Sequence, residues 1–154
     1  MTADTMAEIT VRPATQDDVA EWLRMQKALF GDYPEIADEV RAYFARNAGN
    51  EAALIAECGG KSCGYVVVGT RSYAEGCASS PVAYVEALYV DPEWRRKGAG
   101  RTLLAAAETW ARARGFSEIA SDAGVDNADS VAMHVACGFD ETERIVCLRK
   151  DLSD

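Results

Sequence analysis

"VAYVEALYVDPEWRRKGAGRTLLAAA", residues 82–107, joins three unlike segments. Residues 82–90 are nearly continuously apolar, the pattern of a central strand covered on both faces. Leu103, Leu104, Ala107, Trp110 and Ala111 then follow helical spacing. Between strand and helix, Arg95, Arg96, Lys97 and Arg101 surround Gly98 and Gly100. A buried strand, a glycine turn and a helix start aim backbone amides at an anion, because a helix N-terminus has unpaired N–H groups and the positive end of the peptide dipoles. Glycines there remove side chains that would block a ligand. The spacing is neither GxxxxGK[ST] nor GxGxxG, which argues against nucleoside triphosphates and dinucleotides. A solvated basic turn is the structural alternative.

The surrounding chain is acidic, with 16 Lys+Arg against 25 Asp+Glu and a net charge of -9. That balance argues against a nucleic-acid partner, which needs a basic field, and favours a cationic one. A length of 154 residues is read as one domain, 1–154, with 1–8 a loose tail. No apolar run approaches the about 18 residues of a membrane span. The stretch "MTADTMAEIT", 1–10, has no basic or apolar leader character, so a cytoplasmic protein without a membrane partner is expected. Cys58, Cys63, Cys77, Cys137 and Cys147 are odd in number and form no CxxC pair. They read as small buried hydrophobes rather than as disulfides or metal ligands, and no metal is expected.

Further elements follow from periodicity and turn residues. Residues 9–12 read as a strand, and Thr15 with Asp18 as a helix N-cap. Val19, Trp22, Leu23, Leu29 and Phe30 mark a helix that "GDYP", 31–34, breaks. A second helix spans about 34–47 and ends at "NAGN". Strands at 52–57 and 63–73 flank the turn "CGGK", 58–61, and 75–81 is a loop. After the helix stopped by Gly115 come a strand at 117–122, a helix at 127–136 and a closing strand at 143–150. The order β-α-α-β-β-β-α-β-α-β gives a mixed α/β (α+β) sheet around a β-α-β unit.

Val90-Asp91-Pro92 followed by Arg95-x-x-Gly98-x-Gly100 resembles the acyl-CoA signature of the GCN5-related N-acetyltransferase superfamily. Asn127 and "HVACGF", 134–139, match its later positions. Within it, 76–101, "ASD" at 120–122 and "GFDETERIVCLRK" at 138–150 resemble the aminoglycoside 6′-N-acetyltransferases. The resemblance covers about residues 9 to 150. It implies a mostly antiparallel sheet whose one parallel strand pair splays apart, and a bulge in the 82–90 strand. It also implies acetyl-CoA as co-substrate, a cationic aminoglycoside as acceptor, and a homodimer. Carried over residue by residue, backbone amides of Arg96, Lys97, Gly98, Ala99, Gly100 and Arg101, with Arg95 beside them, would cradle the pyrophosphate. Leu88, Tyr89 and Val90 would pair with the pantetheine arm, and Asn127 would touch the cofactor. Phe30, Tyr33, Tyr73 and Glu143 would line the substrate pocket.

Amine acetylation needs an ammonium deprotonated, a carbonyl polarised and a thiolate released. Glu86 is the only charged residue between Pro81 and Asp91, and a lone carboxylate there needs a partner. That partner is either a substrate ammonium or an internal Arg. Asp122 ends a strand, where α/β sheets open ligand crevices. It is either a turn residue or, as the resemblance implies, a substrate contact and base. His134, the only histidine, is either structural or, by the same resemblance, a general acid. No cysteine falls on a motif position, so a covalent acyl-enzyme lacks a nucleophile. The expected activity is aminoglycoside 6′-N-acetylation by direct transfer. The alternatives are acetylation of another polyamine or a protein N-terminus, and a non-catalytic acyl-CoA-binding module.

Overall fold

The computed structural model describes residues 8–46 and 49–153. The sequence reading of a tail at 1–8 and of "NAGN" as a helix stop falls largely on residues outside that range. Strand β1 is Ile9–Pro13, helix α1 Val19–Phe30, α2 Ile36–Ala45, β2 Ala52–Cys58 and β3 Lys61–Arg71. These are followed by β4 Val82–Val90, α3 Ala99–Ala113, β5 Ile119–Ala120 and α4 Ala128–Ala136. The sheet order is β1-β2-β3-β4-β5. Its first three pairings are antiparallel, and β4–β5 is parallel.

Helices cover both faces of the sheet. Leu103, Leu104 and Ala107 of α3 pack on Val66, Val68, Ala83 and Val85. Trp22, Met25 and Val40 of α1 and α2 pack on Ile55, Tyr65, Ala87 and Tyr89. Strand β4 therefore sends odd-numbered residues first to the α3 side and then to the α1/α2 side. Strict alternation forbids this. A bulge resolves it: Val68 pairs with Val85 and Val67 with Ala87, leaving Glu86 as the extra residue.

Two ion pairs fix the helices to the sheet. The Asp18 carboxylate accepts both Arg12 Nη1 and Nη2 at 2.7 Å, and also the Thr15 N–H at 2.7 Å. Arg24 of α1 grips buried Asp91 in a fork, at 2.8 and 3.0 Å, and the Asp91 N–H donates to Cys63 O at 2.8 Å. The turn that follows β4 is thus anchored at its first residue.

Three expectations are corrected. First, the closing strand expected at 143–150 finds no partner among the described residues. Ile145, Val146 and Leu148 are 59, 82 and 89% exposed, since two-residue β5 offers no length of ladder to pair with. Second, Cys58 and Cys63 are disulfide-bonded rather than separate thiols. The β2–β3 hairpin brings residues five apart in sequence to a Cα–Cα distance of 5.9 Å, within bonding range, a closeness that a search for CxxC overlooks. Third, Cys147 is exposed, not buried.

Gly64 shows how tightly β3 lies on β4: a Cβ there would meet the Tyr89 carbonyl oxygen at 2.6 Å and Leu103 at 3.2 Å. Gly64→Ala is expected to lower unfolding free energy by about 1–3 kcal/mol, read from the urea midpoint. An unchanged midpoint would contradict this packing.

Candidate active site

The β4–β5 pairing is confined to Ala83 with Ile119 and Tyr84 with Ala120. Beyond it, the edge of β4 through Leu88, Tyr89 and Val90 has no neighbouring strand among the described residues. Parallel strands that part in this way leave a slot bordered by unpaired backbone groups.

At the end of that slot lies the basic turn. Gly98 caps α3 in the left-handed region, with φ of 94°, and the place of its missing Cβ is open space. The first bond at the α3 start runs from Thr102 N–H to Gly98 O, at 3.0 Å. The amides of Ala99, Gly100 and Arg101 precede it and lack an intrahelical acceptor. Arg95 donates through Nε to Val90 O at 2.9 Å, and Lys97 lies 5.2 Å from the Trp94 ring centre. Arg96 approaches Asp129 at 3.8 Å, a nearly fully exposed pair of little energetic weight. Asn127 caps α4 by accepting the Ser130 N–H at 3.2 Å. Met133 of α4 lies 3.5 Å from where a Cβ on Gly100 would stand, so α4 flanks the α3 start. The residues fit an anionic ligand: three amides, exposed cations and an unfilled space beside Gly98.

The acidic groups sit on the other side of the bulge. Glu86 is held by Arg71, whose Nε reaches both carboxylate oxygens at 3.0 and 3.1 Å. The internal arginine is therefore present. Buried Tyr84 donates its hydroxyl to Asp122 Oδ2 at 2.5 Å, and Asp122 itself is exposed just past β5. Burial, reinforced by that carboxylate, pushes the Tyr84 phenol above its ordinary value, so Tyr84 remains a donor.

His134 is buried on α4, edge-on to Phe139. Its Nδ1 lies 2.7 Å from the Ser130 carbonyl, which can only accept, so Nδ1 carries a hydrogen. Nε2 then exchanges a hydrogen bond with Ser121 Oγ at 2.8 Å. Neither ring nitrogen is open, and a proton leaving His134 must pass through Ser121.

Of the pocket positions, Phe30 is 54% exposed and lines a cavity of about 330 Å³ together with Glu86, Trp22, Gln26, Glu39 and Glu51. Tyr33 accepts from Gln26 at 3.1 Å and donates to Glu39 at 2.5 Å, two residues that line this cavity, though Tyr33 itself does not. Tyr73 is 65% exposed beyond β3, and Glu143 lies on the exposed C-terminal segment. The structure thus joins Phe30 and Glu86 in one cleft, with Tyr33 bonded behind two of its lining residues, while Asp122 and His134 gather at the end of β5. Sequence reading missed Arg71, Tyr84 and Ser121. Tyr84 carried a signal as a polar tip in an apolar strand, whereas Arg71, at a strand end, carried none. Sequence reading also passed over Glu39, one of four acidic residues within 32–39.

The Acetyltransferase (GNAT) family model matches residues 17–139. An aminoglycoside N(6′)-acetyltransferase type 1 of Stenotrophomonas maltophilia is 39% identical over 93% of this chain and 94% of that relative. A protein of the same description from Klebsiella aerogenes is 42% identical over 92% of this chain and 96% of its own length. Among solved structures, AAC(6′)-Iy in complex with the bisubstrate analog CoA-S-monomethyl-acetylneamine superposes with a TM-score of 0.86 at 30% identity, over 94% of this chain and 99% of that one. AAC(6′)-Ih from Acinetobacter baumannii gives 0.84 at 32% identity, over 95% of this chain and all of the other. With the parted β4–β5 pair, the amide cradle and this similarity along nearly its whole length, the chain belongs to the GNAT family of acetyltransferases.

Proposed function

We propose that this chain is an aminoglycoside 6′-N-acetyltransferase, a single N-acetyltransferase domain that moves acetyl from acetyl-CoA directly to the 6′-amine and so confers antibiotic resistance. One observation carries the reading: the bulge at Glu86 sets an anion cradle and an acidic cleft on either side of one open strand edge. The first suits a pyrophosphate, the second a polycation. The curated relatives named for this activity support the choice of amine.

Acetyl-CoA, when bound, supplies the thioester carbonyl. Leu88, Tyr89 and Val90 border the slot for its arm. The amides from Arg96 to Arg101, with Arg95 and Asn127 nearby, hold its phosphates. Glu86 attracts the aminoglycoside, with Phe30 in the same cleft, Tyr33 bonded to its lining, and Tyr73 and Glu143 as further contacts from exposed positions outside it. Asp122, fixed by Tyr84, takes the proton that the ammonium must lose before attack. His134, acting through Ser121, is the candidate donor to the leaving sulfur. Direct attack by the amine needs no covalent enzyme intermediate.

A cytoplasmic location accords with dependence on acetyl-CoA, and among the described residues no helix is long and apolar enough to cross a membrane. A homodimer accords with the exposed, strand-prone segment 145–152, whose backbone pairs with no strand among the described residues and so offers a template for a second copy. Light scattering should give twice the chain mass. A monomer mass would refute the dimer.

Gly98→Val and Gly100→Val should each weaken acetyl-CoA binding at least about tenfold, near 1.4 kcal/mol. Wild-type affinity by calorimetric titration would remove the cradle assignment.

Asp122→Asn keeps size and removes basicity. It should cut kcat/KM on a 6′-amino aminoglycoside by roughly 10²-fold, with acetyl-CoA affinity nearly unchanged. Glu86→Gln should raise KM more than it lowers kcat. An Asp122→Asn enzyme with near-wild-type turnover between pH 6 and pH 9 would mean that Asp122 is not the base. Turnover of simple polyamines or peptide N-termini in preference to aminoglycosides would overturn the substrate assignment, and cofactor binding without turnover of any amine would leave a binding module.

A further inference from the structure

Arg71 is the last residue of β3, and its guanidinium has two attachments. Nε donates to both Glu86 oxygens, at 3.0 and 3.1 Å, and Nη2 donates to the same two oxygens, at 3.0 Å to Oε2. The guanidinium carbon also stands 3.5 Å from the centre of the Tyr84 ring. Tyr84 is in turn bonded to Asp122. One cation thus rests between a carboxylate and an aromatic face, one hydrogen bond from a second carboxylate. Those are the elements that bind a protonated alkylamine. The site is not sealed: the Arg71 side chain is 46% exposed and that of Glu86 35%. A half-exposed pair of this kind holds only weakly, so a ligand with several charges can displace it.

We infer that Arg71 is a resident stand-in for the substrate cation, a specificity-determining residue that occupies the Glu86–Tyr84 site until a polycationic amine displaces it. This rests on the assignment of Glu86 to the substrate ammonium made above. An amine with one charge gains Glu86 only by breaking an existing pair, so its net gain is small. A polycation can also place a charge near Glu39 of the same cleft, whose partner is the neutral Tyr33 hydroxyl and not a cation, and this offsets the loss. Arg71 thereby selects for multiply charged acceptors, an effect of exclusion as much as of attraction.

The test is Arg71→Ala, assayed with a 6′-amino aminoglycoside and with ethylamine. For the aminoglycoside, KM should fall about fivefold, the size of one exposed pair. For ethylamine, kcat/KM should rise by a larger factor. In a Glu86→Gln background, the same substitution should leave KM unchanged, which separates competition for Glu86 from a general packing effect. A KM that stays or rises, or an equal gain for both amines, overturns the inference: Arg71 would then orient Glu86 or bind substrate itself. If Arg71→Ala does not fold, Arg71→Gln is read in the same way. Absence of aminoglycoside turnover by the unmodified protein would refute the proposed function instead. Calorimetric titration of the aminoglycoside into both proteins then reads Arg71 alone, and no gain in affinity would overturn the inference.

Discussion

The site depends on one geometric constraint in β4. A regular strand commits each residue parity to one face. Here β4 must pack Val85 against α3 and Ala87 against the layer of α1 and α2. The extra residue at Glu86 permits both. It also places the single charge of an apolar strand where neither helix layer covers it. Bulges bend a strand and interrupt its ladder, and the parting of β4 from β5 begins just before this one. Core packing, an open strand edge and the position of the acidic group thus share a cause.

The charge distribution follows the same division. The chain is acidic overall, yet Arg95, Arg96, Lys97 and Arg101 gather at the start of α3, where the helix amides already favour anions. Glu39, Glu51 and Glu86 line the cleft toward α1 and α2. The cationic and the acidic groups are thus gathered at different places, the first at the α3 start and the second in the cleft beside the bulge. Inside the cleft most carboxylates are not bare. Glu86 has Arg71, Glu39 has Tyr33 and Glu51 has Arg46. Such pairing holds acidic groups near one another without an unrelieved repulsion, and leaves exchangeable partners rather than buried ones.

Much of this was legible in the sequence because it is local. The apolar run 82–90, the glycine turn and the helical spacing after it fix β4, the cradle and α3 within one stretch. The sheet beside them followed from turn residues and alternation. What escaped depends on contacts distant in sequence. The bulge was implied only by resemblance, since one extra residue leaves an almost uniformly apolar strand looking regular. Arg71 meets Glu86 across the β3–β4 pair, fifteen residues away, and nothing in its neighbourhood marks it. Ser121 gains meaning only from His134, thirteen residues on. The segment 143–150 has strand character, but a strand needs a partner, and the described residues provide none. Cys58 and Cys63 are brought together by the hairpin they flank, which a motif search does not see.

The proposed function requires the parted edge of β4 and the start of α3 to form one continuous binding surface. Amide hydrogen exchange with and without acetyl-CoA tests it most directly. Protection should appear at Leu88–Val90 and at Arg96–Arg101 together, with β1 and β2 unchanged. Protection confined to the α3 start, or spread evenly over the sheet, would contradict a cofactor slot along β4.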